Sequence, residues 1–357
     1  ARHGRAPSYA RSLRYAESIR DRIETVGGQG SAVTMTALFW RGVVLAQLVL
    51  ALVAAWYAAP ILSRAWQLEQ WLVAAISAVV FIAVIQLTFA AGTLVAAAYE
   101  EPSTLASGSL LSSSARRLRV ACSEAAVFAV CQCLMAMEPW LSMTHSAAPR
   151  GKLRPVLLLH GVLCNRAVWW LLRRRLVAAG FGPVRAVNLE PAHASIDLLA
   201  IQARQAIVAL SAEVPAVPVV VVAHSMGGLV ARAALSAMDQ EVDAPPVAQV
   251  ITLGTPHRGS ETARLCRGAA CRQMRIGSSW LAALNLERPH RRVTAMTSIY
   301  SIDDNLVVPR ASARLPGSQA LAVTGIGHFG LLWSRQVAKL VIQQLEATAP
   351  SVARVSQ

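Results

Sequence analysis

The segment that most constrains the fold is 218–228, which reads Pro-Val-Val-Val-Val-Ala-His-Ser-Met-Gly-Gly. Residues 219–222 form the short β-branched run that is typical of a fully buried parallel strand. Residues 229–238 consist mainly of good helix formers, so a helix follows closely. Ser225 is therefore predicted to lie on a sharp turn between a strand and a helix, and such a turn lifts the hydroxyl out of the sheet.

The residues around Ser225 have the sizes that this turn requires. Ala223 and Gly227 lie two positions before and after the serine, where the strand and helix backbones pass each other closely, and both are small. Alanine stands where the G-x-S-x-G pattern has its first glycine. The segment therefore predicts a nucleophile elbow. The alternative is a serine that caps a helix after a buried strand.

From Pro155 onward, apolar β-branched runs alternate with helical segments. The alternation predicts an α/β domain at 151–349, with a mainly parallel sheet and helices on both faces, followed by a tail at 350–357. The predicted strands are 156–159, 184–189, 219–223, 247–253, 293–298 and 320–323, and the predicted helices are 168–179, 196–210 and 331–345.

An elbow serine needs an acid and a base that follow it in the order Ser, Asp, His, each at the carboxyl end of a strand. His328 lies between glycines directly after the last predicted strand, and the pair Asp303 and Asp304 follows the strand before it. The imidazole would take the serine proton, and the carboxylate would fix the tautomer. The adjacent acids are expected to point to opposite sides, so only one of them can face the imidazole.

An oxyanion hole needs two backbone N–H groups that point at one oxygen. One belongs to the residue after the nucleophile, which is Met226, and the other to the loop after the first predicted strand. In that loop Gly161 allows the backbone to turn the amide of Val162 inward. We therefore predict Val162 and Met226 as the oxyanion hole.

Three further histidines at strand ends are expected to make structural hydrogen bonds, namely His160, His224 and His257.

Four stretches resemble the lipase branch of the α/β-hydrolases, which includes bacterial triacylglycerol lipases and GPI inositol-deacylase-like enzymes. They are Pro-Val-Leu-Leu-Leu-His-Gly at 155–161, Ala-His-Ser-Met-Gly-Gly-Leu at 223–229, Leu-Gly-Thr-Pro-His-Arg-Gly-Ser at 253–260 and Gly-Ile-Gly-His-Phe-Gly-Leu-Leu at 325–332. The resemblance covers residues 153–345. It implies the α/β-hydrolase fold, a lipid carboxylic ester as substrate, and no cofactor or metal. In such lipases the acid stands before one residue and an apolar pair, which selects Asp304.

Two other functions fit the same residues. An acyltransferase or a thioesterase of this fold forms the same acyl-enzyme, so the motifs do not separate either from an esterase. The non-enzymatic alternative is a membrane scaffold that keeps an inactive hydrolase domain, and the intact triad argues against it. The sequence leaves the oligomeric state open.

Two apolar features near the predicted site each have two interpretations. The long region 259–293 forms either a small cap over Ser225, which would favour acyl chains, or an ordinary surface helix packed on the sheet. Trp169 and Trp170 either line an acyl groove or pack the first helix of the domain.

Apolar residues make up 55% of the chain and charged residues only 15%, which is too apolar for a purely soluble enzyme. The uncharged runs at 42–62 and 71–98 are each long enough to cross the ~30 Å hydrocarbon core. We therefore predict a two-helix transmembrane hairpin at 34–101. A secretory signal peptide is the alternative for the first run, but the run is longer than an h-region and no small-residue cleavage site follows it.

Residues 1–33 are polar and basic, and we predict that they form a cytoplasmic tail. The net charge of +15 comes almost wholly from scattered arginines, which suits a membrane surface and argues against nucleic acid as a partner. The chain is thus predicted to be a multi-pass protein of a cell membrane, with the bacterial inner membrane favoured.

Residues 102–150 are predicted to be a linker followed by an apolar helix, in which Glu124, Glu138 and Pro139 interrupt the run at 120–143. The helix either spans the membrane or lies flat as a buried or interfacial helix. If it lies flat, the catalytic domain is cytoplasmic, and if it spans, the domain is on the other side. The flat position is favoured. Cys266 and Cys271 are close enough to pair in an oxidising compartment, and the other cysteines have no zinc-site spacing.

Overall fold

The computed structural model describes residues 34–66, 69–100, 110–141, 152–215, 217–239, 247–286 and 293–347, so the predicted tails 1–33 and 350–357 lie outside it. The helices are α1 (Met35–Trp66), α2 (Gln70–Glu100), α3 (Leu110–Ala136), α4 (Trp170–Ala178), α5 (Ile196–Glu213), α6 (Met226–Met238), α7 (Ala269–Gln273), α8 (Ser279–Leu286), α9 (Gly330–Trp333) and α10 (Arg335–Ala347). The strands are β1 (Lys152–Leu159), β2 (Phe181–Val187), β3 (Val219–His224), β4 (Val247–Leu253), β5 (Val293–Ser301) and β6 (Gln319–Val323).

All six strands are parallel and pair in the order β2-β1-β3-β4-β5-β6. The strand β3 is buried along its whole length between β1 and β4, which explains its unbroken run of valines. The chain changes direction across the sheet between β1 and β3. In open parallel sheets, ligands bind beyond the carboxyl ends of the strands at such a switch point. Ser225 follows β3 and Gly161 follows β1, so both lie at this position.

The predicted elements are confirmed, but some boundaries are wrong. The predicted linker is wrong for residues 110–118, because α3 begins at Leu110, where leucine, alanine and arginine supply helix formers. The predicted closing helix is divided at Ser334, which is extended and whose Oγ accepts the N–H of Val337 as a cap. The strand β1 extends back to Lys152 through a register shift around Pro155, which has no N–H to donate.

Within the part of the chain that the structure describes, three helices are long and apolar enough to cross a membrane, namely Met35–Arg64, Gln70–Val95 and Ser114–Ala136. The first two expose large apolar side chains over most of their length, including Trp56, Tyr57 and Ile61 on α1 and Trp71 and Val79 on α2. Exposed apolar surface of this extent marks an interaction site, and lipid is the partner that fits two such helices. The apolar helices therefore indicate membrane association, while the number of spans stays a prediction.

One glutamine from each apolar helix joins the three helices together. Gln86 Nε2 donates to Gln132 Oε1 at 2.7 Å and lies 3.2 Å from Gln47 Oε1. Side-chain amides that pair across helices are a common means of holding apolar bundles together. The pairing therefore fixes α1, α2 and α3 as one bundle.

The helix α3 also packs along the sheet domain. Phe128, Cys131 and Met135 are three or four residues apart, so they share one helix face, and they are buried in the same apolar cluster as Leu158 of β1. Asn165 Nδ2 donates to the Met135 carbonyl at 2.9 Å. This face of α3 is thus part of the core of the domain, and only its other faces are left for lipid or solvent.

The region between β4 and β5 packs on the domain, which favours the surface-helix interpretation over a cap. Met274, Leu281 and Leu284 are buried in the cluster that also contains residues of α5 and α6. Trp280 Nε1 donates to Asp197 Oδ1 at 2.8 Å, which fixes α8 beside α5. Trp169 is fully buried in the core, so it packs the first helix of the domain.

Cys266 and Cys271 form a disulfide. The two cysteines are thus close enough to pair, as predicted, and the side of the membrane on which the domain lies stays a prediction. Cys131 and Cys164 are buried free thiols among apolar side chains, as expected for cysteines without a metal-site spacing.

Candidate active site

Ser225 occupies a strained turn at the end of β3. Its backbone has φ 55° and ψ −128°, a conformation that costs a non-glycine residue roughly 1–3 kcal/mol and that tends to mark functional sites. Its side chain is partly exposed and makes no capping hydrogen bond to α6. The alternative of a helix-capping serine therefore does not hold, and the elbow geometry does.

The close approach that the elbow requires is seen at Gly227. A Cβ atom on this residue would lie 2.7 Å from the His160 carbonyl oxygen and would also overlap that of Leu159. Real Cβ atoms do not come so near to a carbonyl oxygen, so only glycine lets α6 pass the end of β1. The predicted requirement for a small residue at this position is therefore met by a specific contact.

Asp304 and His328 form a buried pair. His328 Nδ1 lies 2.9 Å from Asp304 Oδ2 and 3.1 Å from Oδ1, so the carboxylate accepts the Nδ1 proton. The N–H groups of Leu306 and Val307 each donate to Oδ1 at 2.8 Å and hold the carboxylate in place. The side chains of Asp304 and His328 are 1% and 3% exposed. Such a pair fixes the imidazole with Nε2 free to accept a proton.

Asp303 faces away from this pair, as the alternation of side chains predicts. Its Oδ2 accepts the N–H of Gly325 at 2.6 Å, and its Oδ1 lies 3.3 Å from Arg116 Nε on α3. Asp303 thus holds the loop before His328 to α3, while Asp304 alone contacts the imidazole.

The serine and the acid–histidine pair meet at Gly254. The N–H of Ser225 donates to the Leu253 carbonyl at 2.9 Å, and a Cβ on the adjacent Gly254 would lie 3.0 Å from Asp304 Oδ2 and 3.3 Å from His328 Nδ1. Gly254 has φ +56°, a conformation that favours glycine. This glycine, which sequence reasoning did not single out, brings the two halves of the site to the same strand end.

His224 provides a second link between the two halves. Its ring centroid is 4.6 Å from that of His328, and its Nε2 lies 3.1 Å from the His328 carbonyl oxygen, so it donates to that oxygen. Among the hydrogen bonds of the described residues, none joins Ser225 Oγ to His328. That contact is therefore part of the proposed mechanism below.

The predicted oxyanion loop lies directly against the serine. A Cβ on Gly161 would be 2.9 Å from Ser225 Cβ and 3.4 Å from its Oγ, so glycine is needed for this approach. Met226 is the first residue of α6, and its N–H has no partner within the helix. Outside the helices and strands that the structure describes, no backbone hydrogen bond uses the N–H of Val162. Met226 directly follows Ser225 and Val162 directly follows Gly161, and the assignment of their amides to the oxyanion hole stays a prediction.

The histidines differ in their ability to take up a proton. Burial lowers the pKa of His328, but the Asp304 carboxylate, its hydrogen bond and the Glu124 carboxylate outweigh burial and raise the pKa above its ordinary value. Burial lowers the pKa of His160 to about 4 and lowers the pKa values of His224 and His257 strongly. His160, for example, accepts the N–H of Leu189 at Nε2, as predicted for a structural ring. His328 is therefore the histidine suited to act as a base.

Sequence reasoning missed two residues that hold the His328 loop. Asn305 Oδ1 accepts the N–H of His328 at 2.9 Å, and its Nδ2 donates to Thr93 Oγ1 on α2 at 2.8 Å. Glu124 on α3 accepts two N–H groups from the residues after His328. The only available signals were a polar residue next to the acid and a carboxylate within an apolar helix.

Among the described residues, no group of three or more His, Cys, Asp or Glu is arranged to hold a metal ion.

Comparisons with known proteins agree with this fold. Residues 196–314, about a third of the chain, match the family model of the PGAP1-like alpha/beta domain, a segment that includes Ser225 and Asp304. Lipase BlEst2 of Bacillus licheniformis in its mature form superposes with a TM-score of 0.50 at 17% identity, over 57% of this chain and 96% of that chain. Lipase B of Aspergillus fumigatus gives 0.48 at 19% identity, over 60% of this chain and 58% of that chain. Curated proteins gave no match.

At 17% identity, the likeness to BlEst2 shows the fold alone. The chain thus has the α/β-hydrolase fold, preceded by apolar helices, and the predicted fold class and the resemblance to this superfamily are confirmed.

Proposed function

We propose that this chain is a membrane-anchored serine hydrolase that cleaves carboxylic esters of lipids. The observation that carries the proposal is the buried Asp304–His328 pair, with 2.9 Å between Oδ2 and Nδ1, next to a serine held at φ 55° on a strand-to-helix turn. A strained serine, followed along the chain by a buried acid and then by the histidine that this acid orients, is the arrangement that acyl transfer through a covalent intermediate requires. The exposed apolar faces of α1 and α2 support the proposed anchoring in a lipid membrane.

In the proposed mechanism, Ser225 Oγ attacks the ester carbonyl while His328 Nε2 takes the hydroxyl proton. The carbonyl oxygen becomes an oxyanion that the N–H groups of Val162 and Met226 stabilise. When the tetrahedral intermediate collapses, the imidazolium gives its proton to the departing alcohol, and the acyl group stays on Ser225. Water then attacks the acyl-enzyme by the same steps and releases the acid. Asp304 holds the Nδ1–H throughout and stabilises the imidazolium.

We expect kcat/KM for ester hydrolysis to rise with pH through a midpoint above about 6.5, the ordinary pKa of histidine. The imidazole accepts a proton only in its neutral form, and the raised pKa of His328 keeps it protonated to higher pH. This expectation is tested by a pH profile of kcat/KM, measured with a soluble ester whose own charge does not change over the pH range used. A midpoint below that of free histidine would contradict the assigned influence of the carboxylates on His328.

A fluorophosphonate probe tests the proposed function. The full chain, expressed in cells and collected with salt-washed membranes, is expected to label at Ser225, since the probe reacts with activated serines. The Ser225→Ala variant should sediment with the same membranes and remain unlabelled, and Ser236→Ala, near the far end of the helix α6 that follows Ser225, should label like wild type. Free fatty acid as the product, with water as the acceptor, separates a hydrolase from an acyltransferase.

Two outcomes of this experiment contradict the proposal. Labelling that persists in Ser225→Ala would remove the serine from the mechanism. Recovery of the folded chain in the salt-washed soluble fraction would remove the membrane anchor.

A further inference from the structure

The helix α3 places a buried carboxylate directly behind the loop that carries His328. Glu124 is 1% exposed, and its two oxygens accept separate backbone N–H groups, Oε1 from Phe329 at 2.5 Å and Oε2 from Gly330 at 3.0 Å. Both carboxyl oxygens therefore act as acceptors, one for each backbone N–H group. A buried carboxylate is costly unless it is paired in this way.

The glycines on either side of His328 make room for this carboxylate. A Cβ on Gly327 would lie 3.0 Å from Glu124 Cγ and closer still to its carboxyl group, and a Cβ on Gly330 would lie 3.3 Å from Oε2. Neither glycine has a positive φ, so their backbones are accessible to any residue. At Gly327 glycine therefore provides space for Glu124 rather than backbone freedom, whereas a Cβ on Gly330 would first meet Ile326 Cγ2 at 2.9 Å.

Three charged or titratable side chains face His328. Asp304 hydrogen-bonds to Nδ1, His224 packs at 4.6 Å between ring centroids, and Glu124 holds the backbone of the next two residues. Burial keeps the pKa of His224 well below its ordinary value, so this ring is neutral. In its ionised form, Glu124 adds a second negative charge that favours the imidazolium, beside the larger influence of Asp304.

Each apolar helix contacts one loop of the site. On α1, Trp40 Nε1 donates to the Leu163 carbonyl at 2.7 Å, next to Val162. On α2, Thr93 accepts from Asn305, which accepts the His328 N–H. On α3, Glu124 holds the His328 loop. The bundle thus reaches three loops of the proposed site, those that carry Val162, Asp304 and His328, and the contact from α3 to the His328 loop is the one of these three that involves a carboxyl group.

We propose that Glu124 is a positioning residue for His328, so that the third apolar helix is a functional part of the active site. The carboxylate ties the histidine loop to α3 through two N–H groups and stabilises the charge that the imidazole acquires during acyl transfer. This inference rests on the proposed function.

The first test compares Glu124→Gln with Glu138→Gln in the full chain, purified in detergent. Glutamine has the same shape, but its NH₂ group would face one of the two N–H donors, so the loop loses a hydrogen bond. We expect kcat on a soluble ester to fall about 10- to 100-fold with little change in KM, since small misplacements of a catalytic group have effects of this size. We also expect the midpoint of the pH profile to fall by on the order of half a unit, because one negative charge is lost.

Glu138→Gln is the matched control. Glu138 is equally buried, at 1% exposed, and it follows the same helix, but it pairs with Arg166 instead of the His328 loop. A general loss of docking between the bundle and the domain would affect both variants. We therefore expect Glu138→Gln to lower the thermal midpoint while keeping the wild-type pH profile.

A second pair of variants keeps the inference testable if Glu124→Gln does not fold. Gly327→Ala should displace the carboxylate from the other side and lower kcat by a similar factor. In the Glu124→Ala variant the methyl group added at position 327 has no carboxylate to displace, so adding Gly327→Ala should lower kcat at most a further few-fold. The effects of the two substitutions on kcat should therefore be strongly non-additive.

The outcomes separate the positioning role of Glu124 from the proposed hydrolase function. A loss of kcat with a lowered midpoint in Glu124→Gln, absent from Glu138→Gln, supports the inference. Wild-type kcat and pH profile in folded Glu124→Gln, or independent effects of the two positions in the double variant, would overturn it. Absence of Ser225-dependent fluorophosphonate labelling in the wild-type chain would instead defeat the proposed function itself.

Discussion

Replacing Ser225 with alanine is expected to lower kcat for ester hydrolysis by ~10³-fold or more, because the hydroxyl is the group that forms the acyl-enzyme. The effect on folding should be small. The Ser225 side chain is partly exposed and makes no capping hydrogen bond, so its removal leaves no buried polar atom without a partner. The elbow conformation costs alanine as much as serine, since both carry a Cβ.

The measurement is kcat on a soluble ester together with the thermal midpoint, for the full chain in detergent. Ser236→Ala, near the far end of α6, is the control for replacing a partly exposed serine away from the site, and it should leave both quantities at wild-type values. Turnover of the Ser225→Ala variant within a few-fold of wild type, in folded protein, would exclude Ser225 as the nucleophile. A variant that loses activity only because it unfolds would show a lowered thermal midpoint.

The elbow was predictable because all of its signals are local. The valines of β3, the small residues Ala223 and Gly227, and the serine between them lie within nine positions of the sequence, 219–227. Each reports a separate requirement, namely burial of the strand, close approach of the helix and exposure of the hydroxyl. The order of Asp304 and His328 after the serine follows equally from the succession of strands.

Contacts between distant segments were not predictable in the same way. Glu124 meets Phe329 across 205 positions, and Asn305 meets Thr93 across 212. A carboxylate in an apolar helix indicates only that the side chain needs a partner, not which loop supplies it. The alternation of polar and apolar residues likewise does not show that one face of α3 belongs to the core of the α/β domain. Such docking depends on the complementary shapes of two surfaces, which no short pattern encodes.

The second large effect on kcat is expected at Asp304, one of two adjacent acids of which only one contacts His328. Asp304→Asn is expected to lower kcat by up to ~10⁴-fold, because the asparagine reverses the tautomer of His328. Its Oδ1 can still accept the N–H groups of Leu306 and Val307, now made by Asp304 at 2.8 Å each, so the loop should keep its shape. The NH₂ group then takes the place of Oδ2 and donates to Nδ1. The proton of the imidazole moves to Nε2, which can no longer accept the serine proton.

Asp303→Asn is the matched comparison, since it removes the same charge one residue earlier. Its amide oxygen can keep the hydrogen bond from Gly325, and the lost ion pair with Arg116 is partly exposed, with 43% of the arginine side chain accessible. The side chain of Asp303 itself is 10% exposed, but neither of its oxygens is bonded to His328, so we expect kcat to change at most a few-fold. Both variants are measured with one soluble ester, with KM as the control for substrate binding. If Asp303→Asn is the variant that loses activity, the acid has been assigned to the wrong neighbour, whereas equal and small losses in both would show that neither carboxylate orients His328.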